Sequence, residues 1–73
     1  MHNYRVILRP EPEGGYSAFV PALPGCFSSG STIDDSLSNI QEAIELYLES
    51  LAETGDSIPN DNDTLEYNLT IHG

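Results

Sequence analysis

The segment VPALPGCFSSGST, from Val20 to Thr32, lies between strand-like sequence and the longest apolar-periodic part of the chain. Pro21 and Pro24 cannot donate hydrogen bonds to a sheet, so PALPG must be an irregular turn or the end of an edge strand. Leu23-Pro24-Gly25 favours a tight turn, because proline fixes one central φ and glycine accepts a positive φ at the next position. We predict that this turn leads into a short strand over 26–31, and that the corner is anchored to the core by Leu23, Cys26 and Phe27.

Two strands are predicted before the turn. Residues 4–9, YRVILR, alternate Tyr4, Val6 and Leu8 against the intervening residues, which is the two-residue period of a strand. Residues 16–20, YSAFV, form the second strand, and the PEPEGG loop between them contains two glycines that suit a turn. The pattern predicts a β-hairpin.

A long helix is predicted over about 33–54. Thr32 is a good N-cap, Asp35 occupies the acidic position of a capping box, and Gly55 suits the left-handed C-terminal position. At 100° per residue, an arc of about 100° contains all the apolar residues of one face, namely Ile33, Leu37, Ile40, Ile44, Tyr47, Leu48 and Leu51. Because buried side chains of this size each contribute about 1.5–3 kcal/mol, we expect the stripe to supply most of the core.

The last predicted element is TLEYNLTIH, over about 64–72. Its apolar residues alternate with polar ones, as expected of a one-sided fourth strand or of an arm that pairs with a partner. A crossover through the helix allows a fourth strand to lie beside the first in the parallel sense. We therefore predict one α+β domain over 1–73, a two-layer β-β-β-α-β sandwich with sheet order 3-2-1-4.

Length and charge limit the function. A chain of 73 residues buries a thin core, and its single cysteine excludes an internal disulfide, so self-association is expected. Twelve carboxylates face two arginines and no lysine, for a formal net charge of −10. Nucleic acids and anionic membranes are bound largely through basic residues, so both are unlikely partners and a basic protein is the natural one. No long apolar segment or leader is evident, and we expect a cytoplasmic protein.

The chain offers little for catalysis. A metal-dependent nuclease needs several carboxylates converging on its cations, and the predicted strands carry only Glu66. Cys26 lacks a basic neighbour, so we interpret it as a small buried residue rather than a nucleophile. The terminal histidines and the single cysteine show no zinc-binding spacing. We expect no catalytic, metal or cofactor site.

Acidic residues dominate the outer face of the predicted helix. They fall within an arc of about 100° roughly opposite the apolar stripe, and they are Asp34, Asp35, Glu42, Glu45, Glu49 and Glu53. Such a face is either simply solvated or an electrostatic landing surface for a basic protein.

Residues 4–49, YRVILRPEPEGGYSAFVPALPGCFSSGSTIDDSLSNIQEAIELYLE, resemble the N-terminal domain of HicB antitoxins. The likeness rests on the Tyr-x-Val start, Gly-Tyr in the second strand, Val-Pro-x-Leu-Pro-Gly-Cys, the Gly-x-Thr step and the EAIELYLE helix. The resemblance implies a pared-down ribonuclease-H-like fold without its catalytic carboxylates, and a homodimer or larger assembly. It also implies binding to HicA, a small basic mRNA-cleaving toxin. Many HicB proteins continue into a DNA-binding domain, whereas this chain stops one strand after the helix, so toxin binding rather than DNA binding is expected.

The leading hypothesis is therefore an antitoxin-like protein that covers a basic HicA-type toxin, with charge supplied by the helix acids and by Glu11 and Glu13. The alternatives are a residual nuclease on a ribonuclease-H-like scaffold and an orphan oligomeric regulatory module.

Overall fold

The structure is a computed structural model that describes residues 2–72. It is an α+β fold in which a three-stranded antiparallel sheet is covered on one face by one helix, which confirms the predicted fold class. The elements, in chain order, are β1 (Ile7–Pro10), β2 (Tyr16–Phe19), β3 (Phe27–Gly30), α1 (Ile33–Thr54) and a short 3₁₀ turn (Asp61–Asp63).

The sheet is a meander of order β1-β2-β3. Ala18 of β2 is paired with Leu8 on one side and with Ser28 on the other, and this row faces the helix. The next row, Ile7, Phe19 and Phe27, points to the opposite side because successive strand residues alternate between faces. Helix α1 packs mainly on β3 and β2. The row Ile7, Phe19 and Phe27 therefore lies on the side of the sheet away from the helix, and this side is apolar along that row.

Helix α1 spans the predicted interval and ends as predicted. The Thr32 hydroxyl accepts a hydrogen bond from the Asp35 amide at 3.0 Å, which satisfies one of the free donors of the first turn. Gly55 has φ of 75°, and its amide donates to the Ala52 carbonyl oxygen. The residues that begin and end the helix are therefore set by local chemistry.

The fully buried apolar core is small and lies beneath the turn. Its members are at most 4% exposed, and they are Ala18, Val20, Leu23, Cys26 and Ile40. Three of the five come from the segment Val20–Cys26, which we call the turn motif, and α1 contributes only Ile40. The core is thus built around an irregular segment.

Two predictions about the core are wrong. Phe27 is 71% exposed, because Cys26 beside it already points inward and the next strand residue must point outward. The helix stripe does not form most of the core, since Ile33 is 47% and Leu37 is 42% exposed. The remaining stripe residues Ile44, Tyr47, Leu48 and Leu51 are only partly buried.

The predicted fourth strand is not formed within the single chain. Residues 64–72, which we call the C-terminal arm, adopt no strand, and the sheet of the described residues ends at β1. The order 3-2-1-4 is therefore found only for its first three strands, and the ribonuclease-H-like layout stays a prediction. A strand needs a neighbouring strand for its hydrogen bonds, and the apolar residues of the arm are exposed rather than packed beside β1. Near the start of the arm, the Arg5 guanidinium lies 3.1 Å from the Glu66 carboxylate.

Gly30 allows the helix to begin directly against the sheet. A Cβ atom at Gly30 would lie 2.7 Å from the Asp35 carbonyl carbon and closer still to the Ser36 amide nitrogen. Any larger residue would push the first turn of α1 away from β3. This close approach gives a structural reason for the Gly-x-Thr step noted in the sequence.

Candidate partner-binding surface

The turn motif is closed by its own backbone hydrogen bonds. The Leu23 amide donates to the Val20 carbonyl at 3.0 Å, and the Cys26 amide donates to the Leu23 carbonyl at 2.9 Å. Pro24 and Gly25 occupy the centre of the second turn, where Gly25 has φ of 81°, as in a type II turn. The Val20 amide then donates to the Cys26 carbonyl at 3.2 Å. These bonds satisfy buried backbone groups while the apolar side chains point inward.

Polar side chains of α1 fasten the helix to the sheet and the turn. The Tyr47 hydroxyl donates to the Pro24 carbonyl at 2.8 Å, and the side-chain amide of Asn39 donates to the Ser29 carbonyl at 2.8 Å. Ser36 is fully buried and its hydroxyl lies 3.3 Å from the Tyr16 carbonyl. Sequence reasoning missed Ser36 and Asn39, although small polar residues on the sheet-facing side of a helix are a usable signal.

The six acids of α1 are all exposed, from Asp34 and Asp35 in the first turn to Glu53 near the C-terminal end. They are half of the chain's twelve carboxylates. Leu46 lies at the edge of their arc and is 66% exposed, so the surface joins negative charge with one large apolar side chain. The sequence reasoning did not single out Leu46, because it falls outside the apolar stripe. We call the six carboxylates and Leu46 the acidic helix face.

Both arginines lie at the other side of the molecule. Arg9 of β1 stands over the Phe19 ring, with its guanidinium carbon 5.7 Å from the ring centroid. Arg5, just before β1, pairs with Glu66 of the arm. No basic residue is present in the last turn of α1. Both positive side chains therefore lie away from the acidic helix face, and one of them is paired with a carboxylate.

The surroundings of Cys26 disfavour the thiolate form of its side chain. The side chain is buried, and this burial raises the pKa of the thiol, so the protonated form is favoured at neutral pH. Over residues 2–72, with the side chain of Asp63 left aside, no three acidic, histidine or cysteine side chains are placed to hold a metal ion.

Within the same residues, no helix combines the length and apolarity needed to cross a membrane.

Tyr4 joins the start of the chain to the segment after the helix. Its hydroxyl donates to the Pro59 carbonyl at 2.7 Å. Burial, and then the nearby carboxylate of Asp61, raise the pKa of Tyr4, which keeps the hydroxyl protonated as the donor. The contact fixes where the C-terminal arm leaves the body.

Comparison with known proteins identifies the class. A family model described as the HicB-like antitoxin of bacterial toxin-antitoxin systems matches residues 4–70. The chain therefore belongs to the HicB-like antitoxin family. Membership indicates a part in a toxin–antitoxin system, with a toxin as partner.

Individual relatives support the same assignment. A UPF0150 protein of Thermoplasma acidophilum is 45% identical over 70 residues, which cover 96% of this chain and 97% of that protein. A UPF0150 protein of Synechocystis is 47% identical over 62 residues, covering 85% of this chain and 78% of the relative. A third, from Helicobacter pylori, is 59% identical over 39 residues, about half of each chain. The similarity to the first two extends over nearly the whole domain.

Proposed function

We propose that this protein binds and neutralises a basic HicA-type mRNA-cleaving toxin. The observation that carries the proposal is the acidic helix face, which is exposed along the length of α1 and contains no basic residue. Glu45, Glu49 and Glu53 follow one another at i,i+4, a spacing that costs helix stability by about 0.2–0.5 kcal/mol per pair. A basic partner would relieve this repulsion.

Binding would block the toxin rather than alter it chemically. A cationic RNA groove attracts the acidic helix face over long range, and Leu46 supplies an apolar contact once the surfaces meet. Such a competitor occupies the surface that the toxin uses for RNA. Because the toxin acts on mRNA, we place this activity in the cytoplasm, and we propose that the antitoxin acts as a homodimer or larger assembly.

A two-stage experiment tests the proposal. Affinity-tagged protein is first purified from its native host, and any small basic protein that accompanies it is identified and produced separately. The dissociation constant is then measured at low and high salt for wild type and for E45Q/E49Q/E53Q. We expect the triple variant to bind about 5–50-fold more weakly at low salt, with a smaller difference at high salt, because salt screens exposed charges.

The comparator is E11Q/E13Q, which removes acids from the loop between β1 and β2. A larger loss from the helix variant assigns the effect to the acidic helix face. Equal affinity of wild type and helix variant at both salt concentrations contradicts the electrostatic part of the proposal. RNA cleavage by the purified chain with Mg²⁺ or Mn²⁺ would instead favour the residual nuclease.

A further inference from the structure

The C-terminal arm is an amphipathic strand without a sheet. Its apolar residues are 74–83% exposed, and they are Leu65, Tyr67, Leu69 and Ile71. Glu66, Asn68 and Thr70 alternate with them, so an extended arm has one apolar and one polar face. Four large apolar side chains on one face of an exposed segment indicate a surface that is covered in the working state of the protein.

A matching groove lies beside β1, under α1. It has a volume of about 500 Å³. Its apolar lining consists of Tyr4, Val6, Leu37, Ile40, Ile44 and Leu48, and His2, Gln41 and Glu45 complete the lining. It is open because the sheet of the described residues ends at β1, which leaves one edge of that strand unpaired. Leu37, 42% exposed, belongs to the part of the helix stripe that the three-stranded sheet does not reach.

The arm does not fill this groove in its own chain. The fold measures 45 × 30 × 18 Å, and its radius of gyration is 14.1 Å. A compact chain of this length has a radius of gyration of about 11 Å. The Tyr4–Pro59 hydrogen bond and the Arg5–Glu66 ion pair hold the start of the arm against the body, and its apolar residues nevertheless remain outside the groove.

We infer that the groove and the free edge of β1 receive the C-terminal arm of a second copy of this chain, and that two copies exchange arms. The incoming arm extends the sheet of the other copy, with its apolar face against α1 and its backbone paired to β1. The groove of each copy is incomplete without the partner's arm. Exchange also protects the β1 edge from uncontrolled pairing.

The area and the charges fit this occupant. Two arms and two grooves would bury about 1,000–2,000 Å² in total, taking about 60–120 Å² for each large apolar side chain and an equal area of groove. Stable dimers bury about 1,200–2,000 Å². The arm carries one acidic residue, Glu66, and the lining of the groove carries one, Glu45, so few like charges meet when the arm docks.

The first test measures the mass of the protein in solution by sedimentation across two decades of concentration. We expect a wild-type dimer and a dimer dissociation constant raised by at least about tenfold in L65S/L69S. The matched control is N68S/T70S on the polar face of the same arm, which should dimerise like wild type. The far-ultraviolet circular dichroism of each variant checks that α1 is formed.

The second test distinguishes exchange from closure within one chain. L65S/L69S has a defective arm and an intact groove, whereas L37E has an intact arm and a defective groove. Each should be largely monomeric alone, and their mixture should form a heterodimer held by the one intact arm–groove pair, detected by native mass spectrometry with differently sized tags.

Three outcomes overturn the inference: a monomeric wild type, a dimer that L65S/L69S does not weaken, or a mixture that forms no heterodimer. The last outcome assigns the arm to its own groove. The inference does not depend on toxin binding. The groove shares Glu45 with the acidic helix face, but the arm shares no residue with that face, so L65S/L69S tests the exchange of arms without altering the proposed toxin-binding surface.

Discussion

The turn motif and the C-terminal arm have similar apolar content, but the apolar side chains of the first are buried and those of the second are exposed. Val20, Leu23 and Cys26 are at most 4% exposed, whereas Leu69 and Ile71 of the arm are more than 80% exposed. The turn motif contains two prolines and a glycine and looks like a surface loop, while the arm alternates like a strand. The irregular segment nevertheless forms the core and the regular one lies outside it.

The difference lies in what satisfies the backbone. The turn motif bonds its own amides and carbonyls across Val20, Leu23 and Cys26, so its side chains can be buried without leaving backbone groups unpaired. A strand has no such internal solution, because its hydrogen bonds must come from a neighbouring strand. The alternation of apolar residues predicts which face of a strand will be buried. The place of that strand in the fold depends on which edge of a sheet is available to pair with it.

The largest expected effect is that of removing the side chain at the centre of the turn motif. Leu23→Ala should lower the free energy of unfolding by about 2–5 kcal/mol, since Leu23 is fully buried and a cavity would remain. Leu69→Ala, measured where the chain is monomeric, should cost less than about 0.5 kcal/mol. Urea denaturation followed by circular dichroism measures both. Equal losses would abolish the distinction between the two segments.

A smaller effect is expected where the helix meets the strand that follows the turn motif. Gly30→Ala places a Cβ atom against the backbone of Asp35 and Ser36, and overpacking of this kind costs about 1–3 kcal/mol. Ser38→Ala, at an exposed position of α1, is the control and should stay within about 0.5 kcal/mol of wild type. An unchanged denaturation midpoint in Gly30→Ala would show that the first turn of α1 is free to move.

The hydrogen bond between the helix and the turn motif should contribute less again. Tyr47→Phe removes the donor to the Pro24 carbonyl and should lower the free energy of unfolding by about 0.5–1.5 kcal/mol. Tyr67→Phe makes the same chemical change in the arm, where the ring is 78% exposed, and should have no measurable effect in the monomer. If both variants unfold like wild type, Tyr47 does not stabilise the turn motif.

The smallest effect is a pH dependence that arises from Cys26. Burial raises the pKa of its thiol, so above the ordinary thiol pKa of about 8.5 the unfolded chain releases a proton that the folded chain retains. The corresponding stability is present below that pH and is lost as the pH rises through the folded-state pKa. Wild type should therefore lose stability between neutral and alkaline pH more steeply than Cys26→Ala. Parallel stability–pH curves for the two proteins would contradict this account.

The sequence predicts the elements that depend on local chemistry. Thr32 and Gly55 mark the ends of α1 because capping needs only nearby atoms, and Pro24-Gly25 specifies its turn for the same reason. Burial was predicted less well. Phe27 was assigned to the core through its neighbour Cys26, although alternation along the strand places the two on opposite sides.

The candidate site shows the same division. The helical periodicity places the acids on one exposed face, and the structure agrees that each is exposed. The sequence pattern did not identify Leu46 as part of this surface, because an exposed leucine matters only through the partner that contacts it and not through the helix that carries it. The position of the arm could not be predicted either, because the edge that pairs with it is distant in sequence or belongs to another chain.

The separation of charge between the two layers has a kinetic consequence. Half of the carboxylates lie on α1, whereas both arginines lie near β1 and offset part of the charge of the other six, so the negative charge is densest on the helix layer. A cationic body that approaches by diffusion exerts a torque on such a molecule before contact and turns α1 towards itself. In more of the encounters, the partner would thus first contact α1 rather than the sheet.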